Sequence, residues 1–150
     1  MISVSGVEVP VFSARWLLRE KIITAFERQG SRKELTDVND ALVLLAAVEL
    51  NSLDLTSHEE AVRHILARRP EARQSLELKI LCPNVLGRPW TWNEAAGVFW
   101  RLENDQLQYL DADLQRHKFK WDSGTQVWYL TAGGQAWFYS AEDRDIVLRT

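Results

Sequence analysis

Residues 98–103, 107–110, 117–121, 126–131 and 135–139 are five short runs rich in aromatic and β-branched side chains. Between them stand Asn104-Asp105, a polar link around Ala112, Ser123-Gly124 and Ala132-Gly133-Gly134. Strand-forming runs punctuated by such residues predict a meander of antiparallel strands, because Asn, Asp and Gly accept the backbone that tight hairpins need. Alternation assigns the faces. Val98, Trp100 and Leu102 oppose Phe99 and Arg101; His117, Phe119 and Trp121 oppose Lys118 and Lys120; Trp128 and Leu130 oppose Val127 and Tyr129; Trp137 and Tyr139 oppose Ala136 and Phe138. The last two runs carry large residues on both faces, so one face packs inward and the other is either covered too or is an aromatic surface.

Six of the seven tryptophans (Trp90, Trp92, Trp100, Trp121, Trp128 and Trp137) follow Pro89, which marks a shift in composition. The expected organisation is a mainly helical part, 1–87, and a Trp-rich β part, 88–150, together making one compact domain. The expected fold class is α+β, with one or two short N-terminal strands and about four helices packed on one face of a C-terminal antiparallel meander of roughly five to six strands. A last strand at 145–149 is expected beside residues 7–11, protecting a sheet edge. No tandem repeat of solenoid period and no low-complexity segment is evident.

Upstream of the meander the pattern is helical. Val4, Val7, Val9 and Val11 around Ser5-Gly6 suggest a hairpin, with Pro10 at an edge. Ser13 is placed to cap a helix from Ala14 that Gly30 ends, its apolar arc running through Trp16, Leu18, Ile22, Ile23, Ala25 and Phe26. Ser31 and Glu34 have capping-box spacing for a second helix from Arg32 to about Glu49, as do Ser57 and Glu60 for a third. In the second helix Leu35, Val38, Leu42, Leu45 and Ala46 read as the buried stripe, leaving Lys33, Asp37 and Asp40 on the outer side with a Lys33–Asp37 ion pair. Pro70 suits the first turn of a fourth helix through Leu81, and Asn93 to Ala96 one helical turn before the first strand.

The formal charge of −3, from 18 basic and 21 acidic residues, gives no overall footprint for nucleic acid. One cysteine, Cys82 in an apolar context, excludes an intrachain disulfide and a Cys-rich zinc site and reads as a buried thiol. His58 and His64 fall on different helical faces and are expected at the surface; no metal site and no cofactor motif is expected. The N-terminus has no signal-peptide pattern and no apolar run reaches the roughly 18 residues of a membrane span, so a cytoplasmic protein without membrane association is expected.

The segment Val11-Phe-Ser-Ala-Arg-Trp-Leu-Leu-Arg-Glu-Lys-Ile, with Glu27-Arg-Gln-Gly-Ser-Arg-Lys-Glu-Leu-Thr-Asp-Val-Asn-Asp-Ala-Leu after it, resembles the post-catalytic helices of minimal nucleotidyltransferase-fold proteins of the abortive-infection toxin type. The resemblance covers about residues 7–45 and implies that Lys21, Arg28, Lys33 and Asp37 face a nucleotide's phosphates. The family's Gly-Ser turn and paired metal-binding aspartates belong upstream, where this sequence has Ser5-Gly6 and no Asp-x-Asp. Phosphoryl transfer needs those metal-held carboxylates, so the resemblance implies a scaffold, or part of a site completed by another chain.

The leading expectation is a non-catalytic binding or protein-interaction module on that scaffold. Its aromatic-rich sheet face, with Trp100, His117, Trp121, Trp128, Trp137 and Tyr139 as contact residues, would meet a protein partner or a small apolar ligand. Homo-oligomerisation stays open and nucleic acid is the less favoured partner. The first alternative is a small enzyme acting on an apolar or aromatic metabolite between helices and sheet, with His117 and Asp111 or Asp122, or Arg101 and Glu103, as acid-base groups. The second is nucleotide or RNA binding through Lys21, Arg28, Arg32 and Lys33.

Overall fold

A tight turn at Ser5-Gly6, both left-handed at φ 49° and 79°, opens the chain by pairing β1 (Ile2–Val4) with β2 (Val7–Val9) in an antiparallel hairpin. The computed structural model describes residues 2–9 and 14–149; Pro10, Val11 and Ser13 lie outside the described residues. The chain divides into two compact units, residues 1–89 and 90–150.

The first unit is a helical assembly. Helix α1 (Ala14–Glu27) and helix α2 (Arg32–Ala47) pack as an α-hairpin through the turn at Gly30, whose φ of 81° is the left-handed stop a glycine supplies. Strand β3 (Leu53–Asp54), helix α3 (Glu59–Arg68), a 3-10 turn (Pro70–Ala72), helix α4 (Arg73–Lys79), strand β4 (Ile80–Leu81) and the one-turn helix α5 (Pro83–Leu86) follow. β3 and β4 pair in parallel. The fourth helix expected as one piece therefore begins as a 3-10 turn and ends at Lys79, because Ile80 and Leu81 are taken by the parallel ladder. Leu18 and Ile22 of α1, Ala41 and Leu44 of α2, and Val62 and Ile65 of α3 are fully or almost fully buried in the core of this unit. Lys79 closes the end of α2: its ammonium donates to Leu45 O at 2.8 Å and Ala46 O at 3.2 Å, carbonyls that helix termination leaves without amide partners.

The stripe of α2 differs from the expected one. Leu35 is 58% exposed and Val43 47%, whereas Glu34, Asp37 and Asp40 are buried. Polar partners from neighbouring elements, described below, make that burial tolerable. Trp16, expected within the arc of α1, is 63% exposed. Neither expected capping box forms: Ser31 and the actual N-cap of α3, His58, make no side-chain capping bond, and Glu34 instead accepts from Gly30 N at 3.2 Å.

The second unit is not the single five- to six-stranded meander sheet expected. It holds two four-stranded antiparallel sheets in chain order: β5 (Thr91–Asn93), β6 (Val98–Glu103), β7 (Gln106–Leu110) and β8 (Arg116–Lys118), then β9 (Lys120–Asp122), β10 (Val127–Ala132), β11 (Gln135–Ser140) and β12 (Asp145–Leu148). Asn93 belongs to a strand, so the helical turn expected there is replaced by β5 and a tight turn. β12 pairs with β11, not with the N-terminal strands, whose partners are each other. Each unit buries its own core. That of the β unit gathers Val98, Trp100 and Leu107 from the first sheet, Leu130, Trp137 and Ile146 from the second, and Phe119 from the crossing between them. Side chains of both sheets meet there, with Trp100 and Tyr139 5.7 Å apart between ring centres.

The two sheets repeat one design at a constant offset in sequence. Asn93 and Asp122 occupy equivalent places: their side-chain oxygens accept from Ala96 N at 2.8 Å and Gly124 N at 2.9 Å, and their carbonyls from the left-handed Gly97 and Gln126. Asn104-Asp105 and Gly133-Gly134 are equivalent hairpin turns with positive φ at both positions. Arg101 faces Gln108 as Leu130 faces Trp137, and Leu102 faces Leu107 as Thr131 faces Ala136. The sheets stack in the same sense. Val98 and Trp100 point into the shared core, while their equivalents Val127 and Tyr129 lie on the other face of the second sheet, opposite Leu130.

A side-chain knot ties the two sheets. Asn93 Nδ2 donates to Asp145 Oδ1 at 3.1 Å and to Ile146 O at 3.1 Å, and Trp100 Nε1 donates to the same Asp145 Oδ1 at 3.0 Å. Replacement Asn93→Ala removes these bonds and the turn bond to Ala96, leaving the Ile146 carbonyl without its Asn93 donor. It is expected to lower unfolding stability by about 1–3 kcal/mol, read as a lower urea midpoint at unchanged slope.

Candidate functional site

Two places collect the residues singled out in the sequence. In the helical unit, Asp37 and Asp40 lie one turn apart on α2 and turn inward toward α1. Asp37 accepts from Lys21 Nζ at 3.4 Å and from Arg28 at 3.2 Å, and Asp40 lies 2.9 Å from Lys21 Nζ and accepts from Ser5 Oγ at 2.5 Å. Burial works against the Lys21 ammonium, but Asp40 and Asp37 outweigh it and hold its pKa above the ordinary lysine value. Two cations are thus matched by two carboxylates within the protein. Of the residues that the family resemblance turns toward phosphate, the fold brings Lys21, Arg28 and Asp37 together. Lys33 is exposed, and the expected Lys33–Asp37 pair is replaced by Asp37 with Lys21 and Arg28.

A second cluster lies beside it. Glu34 accepts from Arg68 Nε at 2.8 Å, and its Oε1 is 2.8 Å from His64 Nε2, in contact but not aligned as a hydrogen bond. Burial pushes the Glu34 carboxyl up, yet Arg68 and the Gly30 amide outweigh it, so it titrates below its ordinary value of 4.5. His64, expected at the surface, is buried, its ring edge-on to Phe26 at 6.0 Å. His58 is half-buried beside a cleft of about 450 Å³, whose lining also includes Ile23, Phe26, Glu27, Thr56 and Glu60. Cys82 is buried, and that burial raises its thiol pKa. Among the described residues no group of His, Cys, Asp and Glu is arranged to hold a metal ion, and no helix is long and apolar enough to cross a membrane.

The β unit carries the aromatic residues, and the fold sorts them. Trp100 and Trp137 are buried, with indole N–H groups bonded to Asp145 Oδ1 and Ala132 O, and Tyr139 packs against the same core. Trp121 and Trp128 face each other across β9 and β10 at 5.1 Å and are 49% and 45% exposed. The sequence reading missed Trp92, which faces Phe99 across β5 and β6 at 4.8 Å and is 51% exposed. Its strand is three residues long and follows Pro89, so alternation had too few positions to mark it.

His117 is exposed and stacks on Tyr109 at 5.2 Å, with Nε2 2.7 Å from Asp111 Oδ2. That bond, with the amides of Gln115 and Asp113, holds the Asp111 carboxyl below the ordinary range. Asp122, the other acid considered with His117, is occupied in its own turn. Arg101 is buried with its guanidinium 4.3 Å from the Trp90 ring centre and its Nε donating to Gln108. These are structural pairings, and no nucleophile or second acid-base group converges on His117 among the contacts of the described residues.

No protein-family model matches the chain, and no curated protein matches it. Among solved structures it is similar to an antigenic nucleotidyltransferase-like protein from Paracoccidioides brasiliensis, at 33% identity and a TM-score of 0.49 over 58% of this chain and 42% of that one. The chain thus spans less than half the length of that protein.

Replacement Asp37→Asn removes the charge facing Lys21 and Arg28. It is expected to cost about 1–3 kcal/mol, below the roughly 3–5 of a fully enclosed pair because Arg28 keeps contact with water. The Glu34 contribution has the opposite partner in pH. Its folded-state pKa is depressed, so its stabilisation is complete above the ordinary carboxylate value and is lost as pH falls through the lowered one. Urea midpoints measured from neutral pH to about pH 3 should show a shallower acid limb in Glu34→Gln than in the wild type.

Proposed function

We propose that the protein is a non-catalytic binding module whose contact surface is the set of exposed ring pairs on its β unit. The observation that carries this reading is the half-exposed state of Trp92, Trp121 and Trp128, each side by side with a second aromatic ring. Leaving indole surface in water forgoes on the order of 25 cal/mol per Å². Rings in stiff strands also bind with little loss of side-chain entropy, which is why tryptophan dominates contact hot spots.

The remaining chemistry supports the same reading. The carboxylates and cations of the helical unit neutralise one another, which suits a scaffold better than a phosphate site. Among the described residues no nucleophile stands in contact with the His117–Asp111 pair. The partner is another protein, met through an extended segment that lies across short strands. Trp100, Trp137 and Tyr139 then serve the core and hold the exposed rings in register.

A panel of peptides, proline-rich, basic, acidic and β-strand-forming, titrated into the full chain with tryptophan emission as the readout tests this. At least one class should shift the emission, and Trp121→Ala with Trp128→Ala should weaken that binding at least tenfold while the circular dichroism spectrum is kept. A panel with no binder, or binding indifferent to these substitutions, removes the proposal.

A further inference from the structure

Resting on the reading just given, we infer that the two sheets are a tandem duplication in which each copy carries the same ligand platform, and that the ligand is a proline-rich segment in polyproline II conformation. The duplication offers an internal comparison. Many paired positions have diverged between the copies: Arg101 corresponds to Leu130, Gln108 to Trp137 and Leu107 to Ala136. A half-exposed tryptophan beside a second ring has been kept. Trp92 next to the partly buried Phe99 corresponds to Trp121 next to Trp128, in the same register between the first two strands of each sheet. A fold can be kept with changed residues, so retention of a water-facing indole against a neighbouring ring in both copies points to something outside the chain.

The ligand class follows from what the platforms offer. Their rings present apolar faces, and among the described residues the indole N–H groups of Trp92, Trp121 and Trp128 make no hydrogen bond, unlike those of Trp100 and Trp137. Indole donates and does not accept. Asp122, next to Trp121 in sequence, is engaged by Gly124 and Thr125. A surface of apolar rings and bare donors complements a chain of apolar rings and bare acceptors, and a polyproline II segment has solvated carbonyls and, at proline, no N–H. A sugar, each hydroxyl of which both donates and accepts, would leave its donors without partners there.

The test uses the full chain labelled with ¹⁵N, its indole N–H signals assigned, and tetraproline and decaproline as probes, with a Gly-Ser decapeptide as control. Both proline peptides should move the signals of Trp92, Trp121 and Trp128 and leave those of Trp100 and Trp137 in place. Trp92→Ala should leave the shifts at Trp121 and Trp128 unchanged, and Trp121→Ala should remove the shift at Trp128 and leave that at Trp92, with unmoved Trp100 and Trp137 signals reporting an intact fold. Shifts at one pair only, or a Trp128 shift indifferent to Trp121→Ala, overturn the two-platform inference. Equal binding of the Gly-Ser peptide, or cellohexaose moving the signals where proline does not, overturns the ligand class. Another peptide of the panel binding at these rings while proline fails does so too, but leaves the binding-module reading standing; if nothing binds, both fall.

Discussion

The arrangement of the β unit turns on one carboxylate oxygen. Asp145 Oδ1 receives donors from Asn93, Trp100 and Ile146, two of them from the first sheet and one from the second. Three donors on one acceptor fix how the sheets meet, because any slide of one over the other would break several bonds and strand polar groups in an aromatic interior. With that contact set, Trp100 and Tyr139 lie together in the core and Trp137 is enclosed, while Trp92 and Trp121 on the edge strands β5 and β9, and Trp128 on β10, are left half in water. The division between structural and exposed tryptophans is therefore a consequence of the stacking, not of any difference between the residues themselves.

Much of the local structure was legible in the residues. The turn pairs Asn104-Asp105 and Gly133-Gly134, the stop at Gly30 and the strand runs all act through backbone preferences that need no partner. What alternation cannot supply is which face is inside. It groups Trp128 with Leu130, yet Leu130 is sealed and Trp128 is half-exposed although both stand on the same face of β10, so burial changes along one strand. Nor did it show that one run of strands would divide into two sheets. The repeat escaped notice since few positions keep the same residue, among them Trp92 and Trp121, Val98 and Val127, and Gln106 and Gln135. The remaining equivalences live in hydrogen bonds and φ angles.

Helix α2 shows the other kind of illegibility. A three-four spacing put Leu35 inside and Asp37 outside, and the fold does the reverse. Hydrophobic patterning assumes that a buried carboxylate goes unpaired; here Lys21 of α1 reaches Asp37 and Asp40, Arg28 just past the end of α1 reaches Asp37, and Arg68 of α3 reaches Glu34. Pairing across elements is invisible to a pattern read within one of them. Of the candidate phosphate-facing residues drawn from the family resemblance, Lys21, Arg28 and Asp37 were thus brought together as mutually neutralised charges, and Lys33 was not.

Same-sense stacking has no internal stopping rule. Two sheets meeting front to front would close on themselves, but a front laid on a back always leaves another front, here the face bearing Tyr129 and Phe138 at 6.0 Å between ring centres. That outward face carries a charge. The Arg149 guanidinium sits 5.1 Å above the Phe138 ring, and anything laid over that ring would have to strip the cation of water unless it brought a carboxylate in return. The outer surface of the second sheet is thereby made expensive to cover.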